Sequence, residues 1–143
     1  MKKWIAKFAL VITIQTIAAS LKTSLPPFRK NIVVLDFYAN WCETCHTNAS
    51  WIKKLYRRYQ HYQWIGVSQD ETPKDALRFV QKHKLPYPQV FDRNHKIAEK
   101  YKIKAMPAFL VLNRRGKVLA EVFGTSHQAK KKLEAILQKY RRR

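Results

Sequence analysis

The sequence predicts an α/β domain: a mixed four-stranded sheet flanked by helices, with a helical insertion between a βαβ half and a ββα half. Three observations carry this expectation. Ile32-Val33-Val34-Leu35-Asp36-Phe37-Tyr38-Ala39 is a short, β-branched apolar run of the kind that is buried on both faces of a sheet. Directly after Trp41-Cys42 the apolar period becomes a helical one. Further along, two apolar runs flank Arg114-Arg115-Gly116, which reads as a hairpin turn.

Taken in order, the first helix places Ile52, Leu55, Tyr56 and Tyr59 on one face and turns Lys53, Lys54, Arg57 and Arg58 away from it. Gln63–Ser68 reads as the second strand. It ends in Gln69-Asp70-Glu71-Thr72-Pro73, where Thr72 can cap a helix that has Pro73 at its first position and runs to about Lys84. Leu85-Pro86-Tyr87-Pro88 reads as a loop, and Asn94 to Tyr101 as a short helix. Ala108–Asn113 and Lys117–Phe123 are the hairpin strands. The final amphipathic helix is expected to bury Leu133, Ile136, Leu137 and Tyr140 before ending in Arg141-Arg142-Arg143. A right-handed βαβ crossover followed by a hairpin gives one mixed sheet.

The 143 residues allow a single domain with a real core. Lys and Arg number 29 against 9 Asp and Glu, a net charge of +20, yet 46% hydrophobic content is too apolar for a disordered polycation. With 3 Gly, collagen-like and linker-like chains are excluded, and 2 Cys exclude a multi-disulfide scaffold. Residues 1–30 hold six basic and no acidic side chains, residues 31–125 hold 16 against 8, and residues 126–143 hold seven against one. No basic stripe interleaved with aromatics, nucleic-acid motif or paired zinc ligands accompanies this charge, so no nucleic-acid partner is expected. Lys130-Lys131-Lys132 and Arg141-Arg142-Arg143 would suit an anionic membrane surface; the plainer reading is a solvated helix face.

Met1-Lys2-Lys3 precedes an apolar stretch that closes on Ala18-Ala19-Ser20, the order of an export signal: charge, apolar core, small residues. It reads either as a cleaved signal peptide or as an uncleaved signal anchor. Both deliver the rest of the chain outside the cytoplasm. The expected organisation is a signal or anchor at 1–20, a linker at 21–31, the α/β domain at 32–140 and a basic tail at 141–143.

Cys42-Glu43-Thr44-Cys45 falls where a buried strand passes into a helix. Two cysteines so spaced at a helix start can close a disulfide with little backbone movement. The first faces the unpaired N–H groups and positive dipole end of the helix, which stabilise a thiolate. Cys42 is therefore the nucleophile, and Cys45, one turn in, is placed to resolve the mixed disulfide. Glu43 favours the helix start but repels a neighbouring thiolate, which would make the couple less oxidising; it reads equally as an ordinary first-turn acid. No second Cys or His pair stands at finger spacing, so zinc is not expected. Asp36, six residues before Cys42, interrupts an apolar strand; buried there, its carboxyl would have a raised pKa and could exchange a proton with Cys45. Pro107 stands immediately before an apolar strand; a trans proline that marks the strand start is the commoner case, whereas a cis bond would turn the Met106 backbone toward the dithiol to pair with an extended substrate.

Phe37-Tyr38-Ala39-Asn40-Trp41-Cys42-Glu43-Thr44-Cys45 together with Met106-Pro107 resembles the thioredoxin superfamily. Ile65-Gly66-Val67-Ser68-Gln69-Asp70-Glu71, Tyr87-Pro88, Phe91-Asp92, Ile97–Tyr101 and Asn113–Val118 are similar to the TlpA-like group of extracytoplasmic thiol:disulfide oxidoreductases. The resemblance covers residues 32–138. It implies a thioredoxin-like fold, Cys42 as attacking thiol, Cys45 as resolving thiol, Trp41 as the ring packed beside them and Pro107 as the cis-proline. It further implies reduction of exported protein disulfides, apocytochrome c among them, with electrons from a membrane donor such as a transmembrane thiol reductase. The dithiol itself is the redox group, and no other cofactor and a monomeric state are expected. Departures from the group are Asp36, where Asn is common, Asn48, where some reductases carry Glu, and the missing hairpin region between Pro27 and Ile32.

Two alternatives share these residues. The same fold can act as a disulfide-forming oxidant, and Cys42-Glu43-Thr44-Cys45-His46 is a literal haem c attachment pattern with His46, and even Met106, as axial ligands. His61, His83, His95 and His127 occur singly and read as surface or satisfied polar residues.

Overall fold

The apolar run Ile32–Tyr38 becomes the middle strand of the protein. A computed structural model describes residues 21–141; the segment 1–20, read above as signal or anchor, and the last two arginines of the basic tail lie outside the described residues. The elements are β1 (Ile32–Tyr38), α1 (Glu43–Arg58), β2 (Gln63–Ser68), α2 (Pro73–His83), β3 (Gln89–Phe91), a 3-10 turn (Arg93–His95), α3 (Lys96–Lys100), β4 (Ala108–Asn113), β5 (Val118–Phe123) and α4 (His127–Tyr140). The strands form one sheet in the order β3-β2-β1-β4-β5. β1 and β2, and β2 and β3, are parallel, whereas β4 is antiparallel to both β1 and β5.

Because strand side chains alternate between faces, β1 supplies both halves of the core. Val34 and Tyr38 face one side, where Ile52 and Leu55 of α1, Phe79 of α2, and Leu133 and Leu137 of α4 cover them. Val33, Leu35 and Phe37 face the other, with Ile65, Val67 and Leu110 beneath Ile97 and Ala98 of α3. Helices thus cover both faces. Tyr56, Ile136 and Tyr140, expected in the core, are only half-buried.

The sheet has five strands rather than the four expected. The addition, β3, spans three residues and follows Pro86 and Pro88, so it is too short to show a period of its own. The stretch 21–31, expected as linker, lies along this added edge. Lys22 bridges to Val90, and the Phe91 N–H donates to the Lys22 carbonyl at 2.9 Å. The Gln63 side chain ties down the same stretch, accepting from the Arg29 N–H at 2.7 Å and donating to the Pro27 carbonyl at 3.0 Å.

Local chemistry sets the helix ends. The Thr72 hydroxyl accepts from the Asp75 N–H at 3.2 Å with Pro73 in the first turn, and α2 stops at Lys84 in the left-handed region at φ 51°. The Asp92 carboxylate accepts from the Ile97 and Ala98 N–H groups at 2.8 and 2.9 Å, which secures the start of α3. Among the described residues, no helix is long and apolar enough to cross a membrane.

Candidate active site: a dithiol beside a buried carboxyl

Cys42 caps α1. Its Sγ accepts from the Cys45 N–H at 3.2 Å, so the sulfur occupies the place a capping oxygen would take and meets the positive end of the helix. Cys42 and Cys45 form a disulfide with their Cα atoms 5.2 Å apart, and both are buried. The Thr44 hydroxyl lies 3.5 Å from Cys42 Sγ.

The turn that presents Cys42 is braced from beneath. The Asn40 N–H donates to both Asp70 carboxylate oxygens, at 2.9 and 3.1 Å, and the Ser68 hydroxyl donates to Asp70 Oδ2 at 2.8 Å. Burial raises the Asp70 carboxyl above its ordinary value, and the Ser68 and Asn40 hydrogen bonds oppose the rise. On the other side of the turn, His46 Nε2 lies 2.6 Å from the Asn40 carbonyl and therefore carries the proton. Its Nδ1 is then an acceptor, 2.6 Å from His83 Nε2. His83, an isolated histidine in the sequence, is thus half of a pair. With both nitrogens of His46 engaged and the two sulfurs bonded to each other, these residues do not fit a covalently attached haem with His46 as its axial ligand.

Asp36 sits in the middle of β1, between Gly66 of β2 and Phe109 of β4 in register, and is 4% exposed. Burial pushes its carboxyl up to about 6 from an ordinary 3.8, and a hydrogen bond from Tyr87 acts in the opposite direction. The Tyr87 hydroxyl donates to Asp36 Oδ2 at 2.6 Å. Asp36, Cys45 and Pro107 line one cavity of about 20 Å³, closed by Asn48, Phe109 and Thr125. That is room for about one water beside the Asp36 carboxyl and Cys45.

The Met106–Pro107 bond is cis and leads directly into β4. Trp41, which the resemblance packs beside the dithiol, is 67% exposed. Together with Met106, Gln69, His95 and Ile103 it lines a second cavity, of about 370 Å³, next to the active-site turn. Asn48 donates to the Thr125 hydroxyl at 2.9 Å, which ties α1 to the loop after β5.

The packing therefore brings Cys42, Cys45, Asp36 and Pro107 together and leaves Trp41 and Met106 on the rim. Sequence reasoning missed Asp70, His83 and Tyr87. Asp70 and Tyr87 stand in stretches quoted for the resemblance, but nothing local assigns them a partner.

Residues 13–121 match the family model for the AhpC/TSA family. Thiol-disulfide oxidoreductase ResA of Bacillus cereus is 29% identical over 120 residues, covering 82% of this chain and 68% of that protein. Among solved structures, a Chlorobium tepidum protein assigned as thiol:disulfide interchange protein DsbE superposes with a TM-score of 0.67 at 29% identity, over 73% of this chain and 76% of the other. A thiol-disulfide oxidoreductase from Bacteroides fragilis gives 0.64 at 26% identity, over 79% and 86%. The chain thus belongs to the AhpC/TSA family, has a thioredoxin-like fold, and is a thiol-disulfide oxidoreductase.

Proposed function

We propose that this oxidoreductase works outside the cytoplasm as a reductant of disulfides in exported proteins, apocytochrome c being one candidate, and is itself re-reduced by a membrane thiol donor. The observation that supports this reading is the single small cavity that Cys45, Asp36 and Pro107 share.

In the reduced protein, the Cys42 thiolate, held by the helix N-terminus, attacks a substrate sulfur. One substrate sulfur leaves and the other remains bonded to Cys42. The substrate chain lies along Met106 and cis-Pro107, with the exposed Trp41 ring on its flank. Asp36, mostly ionised at neutral pH with a pKa of about 6, takes the Cys45 proton. The Cys45 thiolate then attacks Cys42 Sγ, the Cys42–substrate bond breaks, and the second substrate sulfur takes up a proton. Two electrons pass from the dithiol to the substrate disulfide; the second substrate sulfur recovers the proton that Asp36 took from Cys45, and the first takes one from solvent, equal to the proton Cys42 lost on forming its thiolate. Glu43, exposed beside Cys42, opposes the thiolate and supports a reducing couple.

The deciding experiment is the reduction potential of the Cys42–Cys45 couple in a glutathione redox buffer. A value of about −200 mV or lower is expected. One near −120 mV, the range of strong oxidants, overturns the reductant reading in favour of disulfide formation.

A further inference from the structure

Asp36 is buried, and among the described residues no cation pairs with it. Around it, β2 presents Gly66, β4 presents Phe109 and α2 presents Phe79, none of them charged. The titratable groups that face it are Cys45 of α1, Tyr38 of β1 and Tyr87 of the loop before β3. Of these, Tyr87 is the hydrogen-bond donor, 2.6 Å from Oδ2.

Tyr87 is held so that its hydroxyl has little freedom to point elsewhere. Its ring packs against Tyr56 and Trp64, with centroids 5.4 and 5.8 Å away. Its carbonyl accepts from Gln89 Nε2 at 2.7 Å, and Gln89 Oε1 accepts in turn from the Tyr38 hydroxyl at 2.8 Å. Burial keeps the Tyr87 hydroxyl protonated, since its pKa lies well above the ordinary tyrosine value. It can donate but not accept the proton that Cys45 gives up.

We propose that Tyr87 is a positioning residue for the proton transfer at the dithiol: its hydroxyl occupies Asp36 Oδ2, favours the carboxylate form and leaves Oδ1 to receive the Cys45 proton. This rests on the reading that Asp36 is the acceptor for Cys45. No bond to sulfur is made or broken by Tyr87; it sets the pH above which Asp36 is ready. A hydrogen bond to the charged form holds an acid's pKa down, so losing it moves the group's titration upward.

The test uses the full chain, reduced, mixed with an aryl disulfide whose released thiol absorbs visible light. Attack by Cys42 releases the first thiol. Resolution by Cys45 releases the second, in a phase independent of reagent concentration. In the parent protein the second phase is expected to lose rate below a midpoint near pH 6, the value at which Asp36 titrates. Tyr87→Phe should raise that midpoint by about one pH unit, slowing resolution at pH 6 about fivefold, with the first phase unchanged. Asp36→Asn should remove the limb. If Asp36→Asn removes it and Tyr87→Phe leaves the midpoint where it was, Tyr87 has no such role and the Asp36 reading survives. If Asp36→Asn keeps the limb, the Asp36 reading fails and takes this one with it. Should Tyr87→Phe not fold, 3-fluorotyrosine at position 87 keeps the shape and is a stronger donor. It should lower the midpoint, and an unmoved midpoint overturns the proposal.

Discussion

Gly66 and Gln89 compete for one space: a Cβ at position 66 would fall on the side-chain amide of Gln89, which occupies that place opposite it in the sheet. The missing side chain lets Gln89 reach both the Tyr38 hydroxyl and the Tyr87 carbonyl. Gly66→Ala should displace that amide and destabilise the fold by about 1–3 kcal/mol, because the buried Tyr38 hydroxyl then loses its acceptor. Urea unfolding of Gly66→Ala, Gln89→Ala and the double variant tests this. The double variant should be less destabilised than the sum of the two single ones, and strict additivity would refute a shared space.

Asp36 makes stability depend on pH in an unusual direction. Its folded value of about 6 lies above an ordinary 3.8, so the folded state binds more protons than the unfolded state between those values. Its contribution is therefore intact below about pH 4 and is lost as the pH rises through 6. Relative to the parent, Asp36→Asn should gain stability between pH 4 and pH 7 by about 3 kcal/mol. Denaturant melts of the oxidised protein at the two pH values measure the difference directly, and a flat difference contradicts a buried Asp36 with a raised pKa.

His83 works in the opposite sense. Burial first, then His46, Lys82 and Lys53, lower its pKa from 6.5, so the folded state resists a proton that the unfolded state accepts. This contribution is present above pH 6.5 and is lost as the pH falls below it. Stability of the parent protein should drop more steeply below pH 6.5 than that of His83→Gln. Imidazole nitrogen NMR at neutral pH should show a coupling across the hydrogen bond between His46 Nδ1 and His83 Nε2, and its absence would exclude the pair.

Trp41 separates binding from folding. Since its ring is 67% exposed, Trp41→Ala should change unfolding free energy by less than about 0.5 kcal/mol. The same change removes an aromatic face beside Met106 and should raise KM for a peptide disulfide about tenfold with little effect on kcat. Steady-state kinetics and a denaturant melt on one preparation check both halves. A fall in kcat at constant KM would move Trp41 from the rim into the chemistry.

Much of this protein could be read along the chain, because the signals involved are local. The period of apolar residues marked β1, α1, β2, α2, the hairpin and α4, and Thr72-Pro73 marked the start of a helix. Cys42 and Cys45 declared their chemistry through three-residue spacing at a strand-to-helix junction, and Asp36 stood out as a charge inside an apolar run. Where the pattern was shorter than its own period, reading stopped. β3 is three residues between prolines and an aspartate, and its strand pairing is supplied by Gly66, Val67 and Ser68 from elsewhere in the chain.

Partnership between distant residues came from packing. Tyr87 meets Asp36 across 51 positions and His83 meets His46 across 37, separations over which no sequence period runs. A hydroxyl or imidazole shows its type in the sequence but not the direction in which it points. That direction follows from the parallel β1-β2-β3 register and from α2 crossing back over Tyr38. The chain thus specified a dithiol, a helix to activate it and an acid to bury, while the fold chose which hydroxyl would hold that acid. The difference is physical: helix capping and strand burial act over a few neighbouring residues, whereas the state of a buried carboxyl depends on every group the sheet brings against it.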